Sequence, residues 1–256
     1  MLTASGVHVT VWGEGEPAVF VHGSFGWGEE TWREQRPLAA DYRLLLVDRR
    51  GFGASPTDGR VDFERDAGDV AELLGDGAHL VGHSYGGVVS LLAAAQRPAA
   101  VRSLILIEPP AFGVARGDPA VEEMIANIET AARSTHDPSE YRAAFLRGFG
   151  FPARATPLSG RTLEAARASM TERPPWEAQI PLDDLARARL RVLLVQGDWC
   201  PAPDSARALA GAAFRAVCER LDDRLEPERA ILPAAHAPQK LGSIFNNRIR
   251  EFWESA

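Results

Sequence analysis

The chain has 256 residues, of which 45% are hydrophobic and 25% charged, as in an ordinary globular domain. Its formal net charge of −7 argues against a surface for nucleic acid or anionic lipid, because such surfaces carry clustered lysine and arginine. The sequence shows neither an apolar run of about 18 residues nor a secretory leader, so we expect a cytoplasmic protein with no membrane partner. Its two cysteines suit neither a disulfide framework nor a zinc site.

Short apolar runs alternate with helical patterns in the first half of the chain, which predicts strands joined by helical crossovers. The predicted strands are HVTVW and PAVFVHG, followed by YRLLLVD, AHLVGH and RSLILIE. The last three are almost wholly apolar, as expected of strands buried on both faces of a parallel sheet. The predicted helices between them are DFERDAGDVAELLG and YGGVVSLLAAAQRP.

From Gly113 to about residue 186 the pattern changes to helices interrupted by prolines, without a convincing strand. RVLLVQG and ERAILPA then resume the strand pattern, and LGSIFNNRIREFWES closes as an amphipathic helix. We therefore predict a mostly parallel, doubly wound α/β sheet. Its core comprises residues 1–112 and 187–256, and a helical cap over 113–186 is inserted between the later strands.

VGHSYGG, at residues 81–87, has the form G-x-S-x-G and lies between a predicted strand and a predicted helix. Such a turn lifts the Ser84 hydroxyl clear of the sheet, and the flanking glycines allow the tight backbone. A Gly-rich nucleotide loop is the alternative, but neither G-x-G-x-x-G nor G-x-x-x-x-G-K-[ST] is present. The pattern favours Ser84 as a nucleophile.

VFVHGSFGWGEETW, at residues 19–32, is the second motif, in which small residues follow an apolar strand. Acyl transfer needs backbone N–H donors for the oxyanion of its tetrahedral intermediate. We predict that the N–H groups of Ser24 and Tyr85 form this oxyanion hole, with Phe25 as the alternate donor. A loop that merely turns the chain is the other interpretation.

Taken in order, VHGSFGWGEETW, LLVDRRGFGASP, VGHSYGG and LPAAHAPQ resemble the motifs of α/β-hydrolases over nearly the whole chain. In the predicted cap, the resemblance extends only to the kind of insertion, a set of helices, and not to its sequence. The resemblance implies Ser84 as nucleophile and His236 as general base, with the acid between them in the sequence. His236 is also favoured by position, because it alone among six histidines follows the last predicted strand, at an edge where α/β sheets present their sites.

The acid of the predicted triad departs from the usual pattern of the family. The family commonly places it in G-x-x-D after the strand RVLLVQG, but here that position is Cys200. Asp198 comes two residues early, and Asp204 is a more remote choice. Cys200 is interpreted as a small buried residue.

Glu108 offers another solution, because it ends the preceding strand just before two prolines. Some α/β-hydrolases, including certain haloalkane dehalogenases and lactonases, take the acid from this strand. Any carboxylate that orients the imidazole of His236 meets the physical requirement. We predict Glu108 as the acid, with Asp198 as the alternative.

Aromatic residues near these motifs suggest a mainly apolar small-molecule substrate that enters between cap and core. The predicted pocket residues are Phe25 and Trp27 beside the oxyanion loop, Trp176 in the cap, and Trp199.

The leading hypothesis is a serine hydrolase, without cofactor or metal, that cleaves an ester or lactone and is a monomer or homodimer. The alternatives are a carbon–carbon bond hydrolase with the same triad, and a non-catalytic small-molecule-binding protein on the same fold. A serine at position 84 disfavours dehalogenase and epoxide hydrolase chemistry, for which the resemblance requires aspartate.

Overall fold

The computed structural model describes residues 1–3, 5–57 and 59–255 and contains a seven-stranded sheet. The strands are β1 (Val9–Trp12), β2 (Glu16–Val21), β3 (Tyr42–Val47), β4 (Ala78–His83), β5 (Val101–Ile107), β6 (Val192–Gly197) and β7 (Glu228–Leu232). Their order across the sheet is β1-β3-β2-β4-β5-β6-β7, and only β1 runs antiparallel to its neighbour. The predicted α/β fold class and all seven predicted strands are confirmed.

The helices alternate with these strands along the chain. They are α1 (Gly28–Thr31), α2 (Phe63–Leu73), α3 (Tyr85–Gln96), α4 (Pro119–Ser134), α5 (Pro138–Gly148), α6 (Gly160–Ser169), α7 (Leu182–Ala188), α8 (Asp204–Ala206), α9 (Ala212–Leu225) and α10 (Ser243–Glu254). Within the described ranges no helix combines the length and the hydropathy of a membrane span.

Two layers of helices cover the sheet. On one face α2, α3 and α9 share a core with alternate residues of the strands, and on the other α10 packs with the irregular helix Arg33–Ala40. β4 and β6 are buried at every position, and β5 at every position but one, because helices cover both faces of a parallel sheet.

Helices α4 to α7 occupy the chain between β5 and β6. Asp118 and Asp137 cap α4 and α5 by accepting first-turn N–H groups, and the proline after each aspartate takes the first helical position. The missing N–H of proline costs nothing there, so these prolines begin helices. α4 packs against α5 and α9, and α5 against α6, while α7 contacts α9 and α3.

The parallel strands end at one edge of the sheet, and the loops that follow them bring the predicted site residues together. Ser84 follows β4, Glu108 follows β5, and His236 lies on the loop after β7. Ser84 and Glu108 have φ angles of 53° and 45°, in the left-handed region that costs non-glycine residues energy. Strained backbone is concentrated at this edge of the fold.

Candidate active site

Ser84 occupies a sharp turn between β4 and α3, as the G-x-S-x-G pattern predicts. A Cβ atom on Gly86 would lie 2.2 Å from the Val21 carbonyl oxygen, and one on Gly82 would lie 2.4 Å from Ser90 Oγ. Only glycine therefore allows α3 to approach the sheet so closely behind the turn. The Oγ atom of Ser84 lies 2.9 Å from Nε2 of His236, within hydrogen-bonding distance of the imidazole.

His236 is held by a second histidine and by aromatic rings. His83 Nε2 donates to the backbone carbonyl of His236 at 2.8 Å. The imidazole of His236 lies against the rings of Phe214, Phe149 and Trp199, with centroid distances of 4.5, 5.8 and 6.4 Å. Burial among these groups lowers the pKa of His236 to about 3. The ring is therefore kept neutral, the form in which Nε2 can accept a proton.

Glu108 lies fully buried on the opposite side of the imidazole. Its Oε1 atom accepts hydrogen bonds from the Gly197 N–H at 2.7 Å and from the Trp199 indole N–H at 3.2 Å. Its Oε2 atom lies 3.6 Å from Nδ1 of His236, and neither atom has a hydrogen-bond partner among the described residues. That distance is longer than a hydrogen bond, but catalytic contacts are often loose before substrate binds.

Burial acts on both members of the Glu108–His236 pair by disfavouring charge. It raises the pKa of Glu108 to about 8, although the two N–H donors from the β6 loop oppose this shift. One proton between Oε2 and Nδ1 leaves Nε2 free to face Ser84, whereas a second proton on the pair blocks Nε2. The pair therefore titrates as a unit.

The end of β6 and the loop after it, where the family commonly carries its acid, supply the two donors to Glu108. Asp198, the alternative acid, accepts the Cys200 N–H at 2.9 Å, and none of the described contacts of His236 involves it. Asp204 begins α8 with its side chain 97% exposed and pairs with Arg207. The prediction that Cys200 is buried is wrong, because the loop turns its side chain to solvent.

The predicted oxyanion donors lie beside the nucleophile. Tyr85 is the first residue of α3, where a backbone N–H has no partner within the helix. Ser24 and Ser84 line the same cavity, and a Cβ on Gly23 would lie 2.8 Å from Ser84 Cβ. The alternate donor, Phe25 N–H, is already engaged, since it donates to Ser169 Oγ at 2.8 Å. Ser24 and Tyr85 therefore remain the predicted donor pair.

A cavity of about 120 Å³ lies beside Ser84, between the carboxyl edge of the sheet and helices α4 to α6. Its wall is mainly apolar, and its only charged members among the described residues are Glu129 and Glu172. It is lined by Ser24, Ser84, Tyr85, Pro110, Ile128, Glu129, Ala132, Tyr141, Phe145, Phe149, Ser169, Met170, Glu172, Pro174, Pro175 and Trp176.

Two of the four predicted pocket residues lie at or next to this wall. Trp176 lines the cavity, and the ring of Phe25 packs on Tyr141 and Phe145, which also line it. Trp27 instead packs in a small separate cluster against α6. Trp199 is buried beneath Glu108 and stacked on Phe214, so its indole holds the carboxylate rather than the cavity wall.

Sequence reasoning missed Glu172, which lines the cavity and bonds to the oxyanion loop. Its Oε2 atom accepts a hydrogen bond from the Ser24 hydroxyl, and its Oε1 atom accepts one from Nη2 of Arg49, both at 2.5 Å. Burial raises the pKa of Glu172, and the adjacent Arg49 opposes this. No local pattern marks a residue whose partners lie more than 120 positions away.

Comparisons with known proteins agree with this architecture. The sequence profile of the Alpha/beta hydrolase family matches residues 18–240. A pimeloyl-[acyl-carrier protein] methyl ester esterase from Methylococcus capsulatus is 32% identical over 228 residues, which cover 86% of this chain and 85% of that protein. The esterase YbfF of Escherichia coli is 30% identical over 137 residues, which cover 51% and 52%.

Solved structures show the same fold at low identity. A hydrolase from Pseudomonas aeruginosa superposes with a TM-score of 0.67 at 23% identity, covering 98% of this chain and 96% of that one. An N-acyl homoserine lactone degrading enzyme has a TM-score of 0.65 at 22% identity, covering 98% and 99%. The chain belongs to the α/β-hydrolase family, and it is a hydrolase.

Proposed function

We propose that this protein is a serine ester hydrolase that cleaves small, neutral, mainly apolar esters through an acyl-enzyme on Ser84. The observation that carries the proposal is the line of contacts from Ser84 Oγ to His236 Nε2, 2.9 Å, and from His236 Nδ1 to Glu108 Oε2, 3.6 Å. A serine hydroxyl is a weak nucleophile at neutral pH, and a neutral imidazole with an orienting carboxylate is the arrangement that activates it.

The reaction follows from these positions. His236 Nε2 takes the Ser84 proton as Oγ attacks the ester carbonyl. The oxyanion that forms accepts hydrogen bonds from the backbone N–H groups of Ser24 and Tyr85. When the intermediate collapses, the alkoxy oxygen leaves with the proton from His236, and the acyl group stays on Ser84. Water then attacks this acyl-enzyme with the same base, which releases the carboxylic acid and restores the serine. Glu108 orients the ring and stabilises its cation in both halves.

The form of the cavity supports the substrate class. Apolar side chains make up most of the wall, and neither lysine nor arginine is among its described lining residues, so a neutral acyl chain fits better than an anionic one. The ester assignment is supported by the esterases among the sequence relatives. A lactone, whose alcohol stays tethered to the acyl group, passes through the same intermediate and belongs in the same assay.

Hydrolysis of p-nitrophenyl acetate, butyrate and octanoate tests the proposal, with a simple lactone in parallel. We expect saturable turnover that Ser84→Ala abolishes. Ser243→Ala, at an exposed serine that begins α10, is the matched control and should keep the parent rate. Tight binding of apolar esters without turnover would instead favour the non-catalytic binding protein, and turnover that survives Ser84→Ala would reject the acyl-enzyme.

A further inference from the structure

The segment Ser169–Arg173, which begins at the last residue of α6, is bonded to the core beside the oxyanion loop. Val61 N–H donates to the Thr171 carbonyl at 3.2 Å, and Arg173 N–H donates to the Val61 carbonyl at 2.8 Å. The Tyr85 hydroxyl donates to the Arg173 carbonyl at 3.0 Å. This segment, called the clamp segment below, is therefore attached to the core at the residues on either side of Glu172.

The peptide group between Gly23 and Ser24 carries the proposed oxyanion donor. Its carbonyl oxygen accepts Nδ1–H of His22 at 2.6 Å and an Nη2–H of Arg49 at 3.2 Å. Because a trans peptide is planar, with its C=O and N–H on opposite sides, holding the carbonyl oxygen also fixes the direction of the Ser24 N–H.

Glu172 binds the two groups that restrain this peptide, the Arg49 guanidinium and the Ser24 hydroxyl. Its Oε1 atom accepts the same Arg49 Nη2 that holds the Gly23 carbonyl, and its Oε2 atom accepts the Ser24 hydroxyl. The Glu172 side chain is only 9% exposed and that of Arg49 is fully buried, so both contacts are protected from water. One carboxylate of the cap thereby restrains the peptide from its carbonyl end and from its Ser24 end.

The next peptide is held by the same segment. Phe25 has a φ of 64°, in the left-handed region, and its N–H donates to Ser169 Oγ at 2.8 Å. Such a backbone relaxes when its partners are removed. The loop that carries the Ser24 N–H is therefore kept in its strained form by bonds from the clamp segment.

We propose that Glu172 is a positioning residue of the oxyanion hole, which through Arg49 and the Ser24 hydroxyl holds the Ser24 N–H in place and makes catalysis depend on the seating of the clamp segment. The inference rests on the proposed function. It also makes a prediction of opposite sign to simple electrostatics. A carboxylate near a developing oxyanion opposes its charge, so neutralising Glu172 should speed the reaction unless the residue acts by positioning.

Glu172→Gln tests the proposal, with Glu164→Gln, an exposed carboxylate on α6, as the matched control. We expect kcat to fall about 10- to 100-fold, somewhat less than the 10²–10³ lost with a whole oxyanion donor, while KM stays within about threefold. The inhibition constant of a trifluoromethyl ketone, which forms a tetrahedral adduct with Ser84, should rise by the same factor as kcat/KM falls. Glu164→Gln should match the parent in all three.

Ser24→Ala supplies an independent arm, because it keeps the backbone N–H and removes only the hydroxyl bonded to Glu172. We expect a partial loss of kcat, and a double variant no slower than Glu172→Gln alone, as for two residues acting in one unit. If Glu172→Gln does not fold, Ser24→Ala and Ser169→Ala test the proposal instead. A kcat equal to that of the parent in both variants overturns it.

An unchanged or raised kcat in folded Glu172→Gln overturns the proposal, as does lost kcat with unchanged affinity for the ketone. Both results presuppose an active parent. A parent that neither turns over esters nor binds the ketone would contradict the proposed function itself, so the two failures are distinguishable.

Discussion

Glu108→Gln separates the proposed acid from its alternative. The Gly197 N–H and the Trp199 indole N–H both donate to Oε1 of Glu108, so the amide oxygen of glutamine must take that place. The amide NH₂ then occupies the Oε2 position, 3.6 Å from Nδ1 of His236. It can only donate there, which drives the ring proton to Nε2 and leaves Ser84 facing an N–H instead of a base.

The expected loss is large. In serine proteases the comparable amide substitution lowers kcat by about 10⁴, or about 5 kcal/mol of barrier, through the wrong tautomer. We expect a similar loss for Glu108→Gln. Asp198→Asn should lower kcat less than about threefold, because the partner of that carboxylate among the described residues is the exposed Cys200 N–H, not His236. Since Cys200 is exposed, Cys200→Asp should not rescue Glu108→Gln.

Stability must be measured beside activity. Burial raises the pKa of Glu108 from 4.5 to about 8, so the carboxyl contributes fully to stability below about pH 4.5, and this contribution is lost as pH rises through about 8. Glutamine stays uncharged at every pH, so the variant keeps this contribution to stability above about pH 8. The Tm of Glu108→Gln should therefore equal or exceed that of the parent at pH 9, by calorimetry or circular dichroism.

Steady-state hydrolysis of p-nitrophenyl butyrate at pH 8, on both variants and the parent, is the assay. The reasoning is refuted if Asp198→Asn is the inactive variant, or if folded Glu108→Gln retains more than about a tenth of the parent kcat. In the first case the acid belongs to the β6 loop.

Three further expectations concern the pair and the cavity. Because a second proton on the Glu108–His236 pair blocks Nε2, kcat/KM should rise with pH and level off only above about 8. A plateau already reached at about pH 6 would contradict the shared proton. Trp199→Phe removes one donor to the Glu108 carboxylate and should move the rise of kcat/KM to higher pH, which an unchanged pH profile would contradict. A p-nitrophenyl hemisuccinate should react at least about tenfold more slowly than the butyrate, because its carboxylate loses water in a mainly apolar cavity whose described lining includes neither lysine nor arginine. Equal rates would show that the cavity does not select by charge.

The sheet could be predicted from the sequence because its strands carry a strong local signal. The apolar runs of β4, β5 and β6 and the glycines around Ser84 indicate buried parallel strands and a sharp turn. Chain position, together with the family resemblance, also directed attention to Glu108 and His236, since the carboxyl ends of parallel strands meet at one edge. The structure places these two side chains 3.6 Å apart.

What sequence reasoning could not supply depends on long-range packing. Trp199 shows no pattern that separates a cavity wall from a hydrogen-bond donor, and only the fold brings its indole to Glu108, 91 residues earlier. Glu172 belongs to a polar helical region like any solvated carboxylate, yet it meets Ser24 across 148 residues. The exposure of Cys200 likewise follows from the course of one loop, whose φ of 60° at Trp199 no propensity predicts.

The nucleophile is the central claim, and covalent labelling tests it most directly. A fluorophosphonate at low molar excess, followed by intact mass measurement and peptide mapping, reports which side chain is activated. We expect one adduct per chain, located on Ser84, because its hydroxyl alone is described at 2.9 Å from the Nε2 of His236. A modification at another residue with Ser84 unlabelled, in a preparation that hydrolyses esters, would contradict the account.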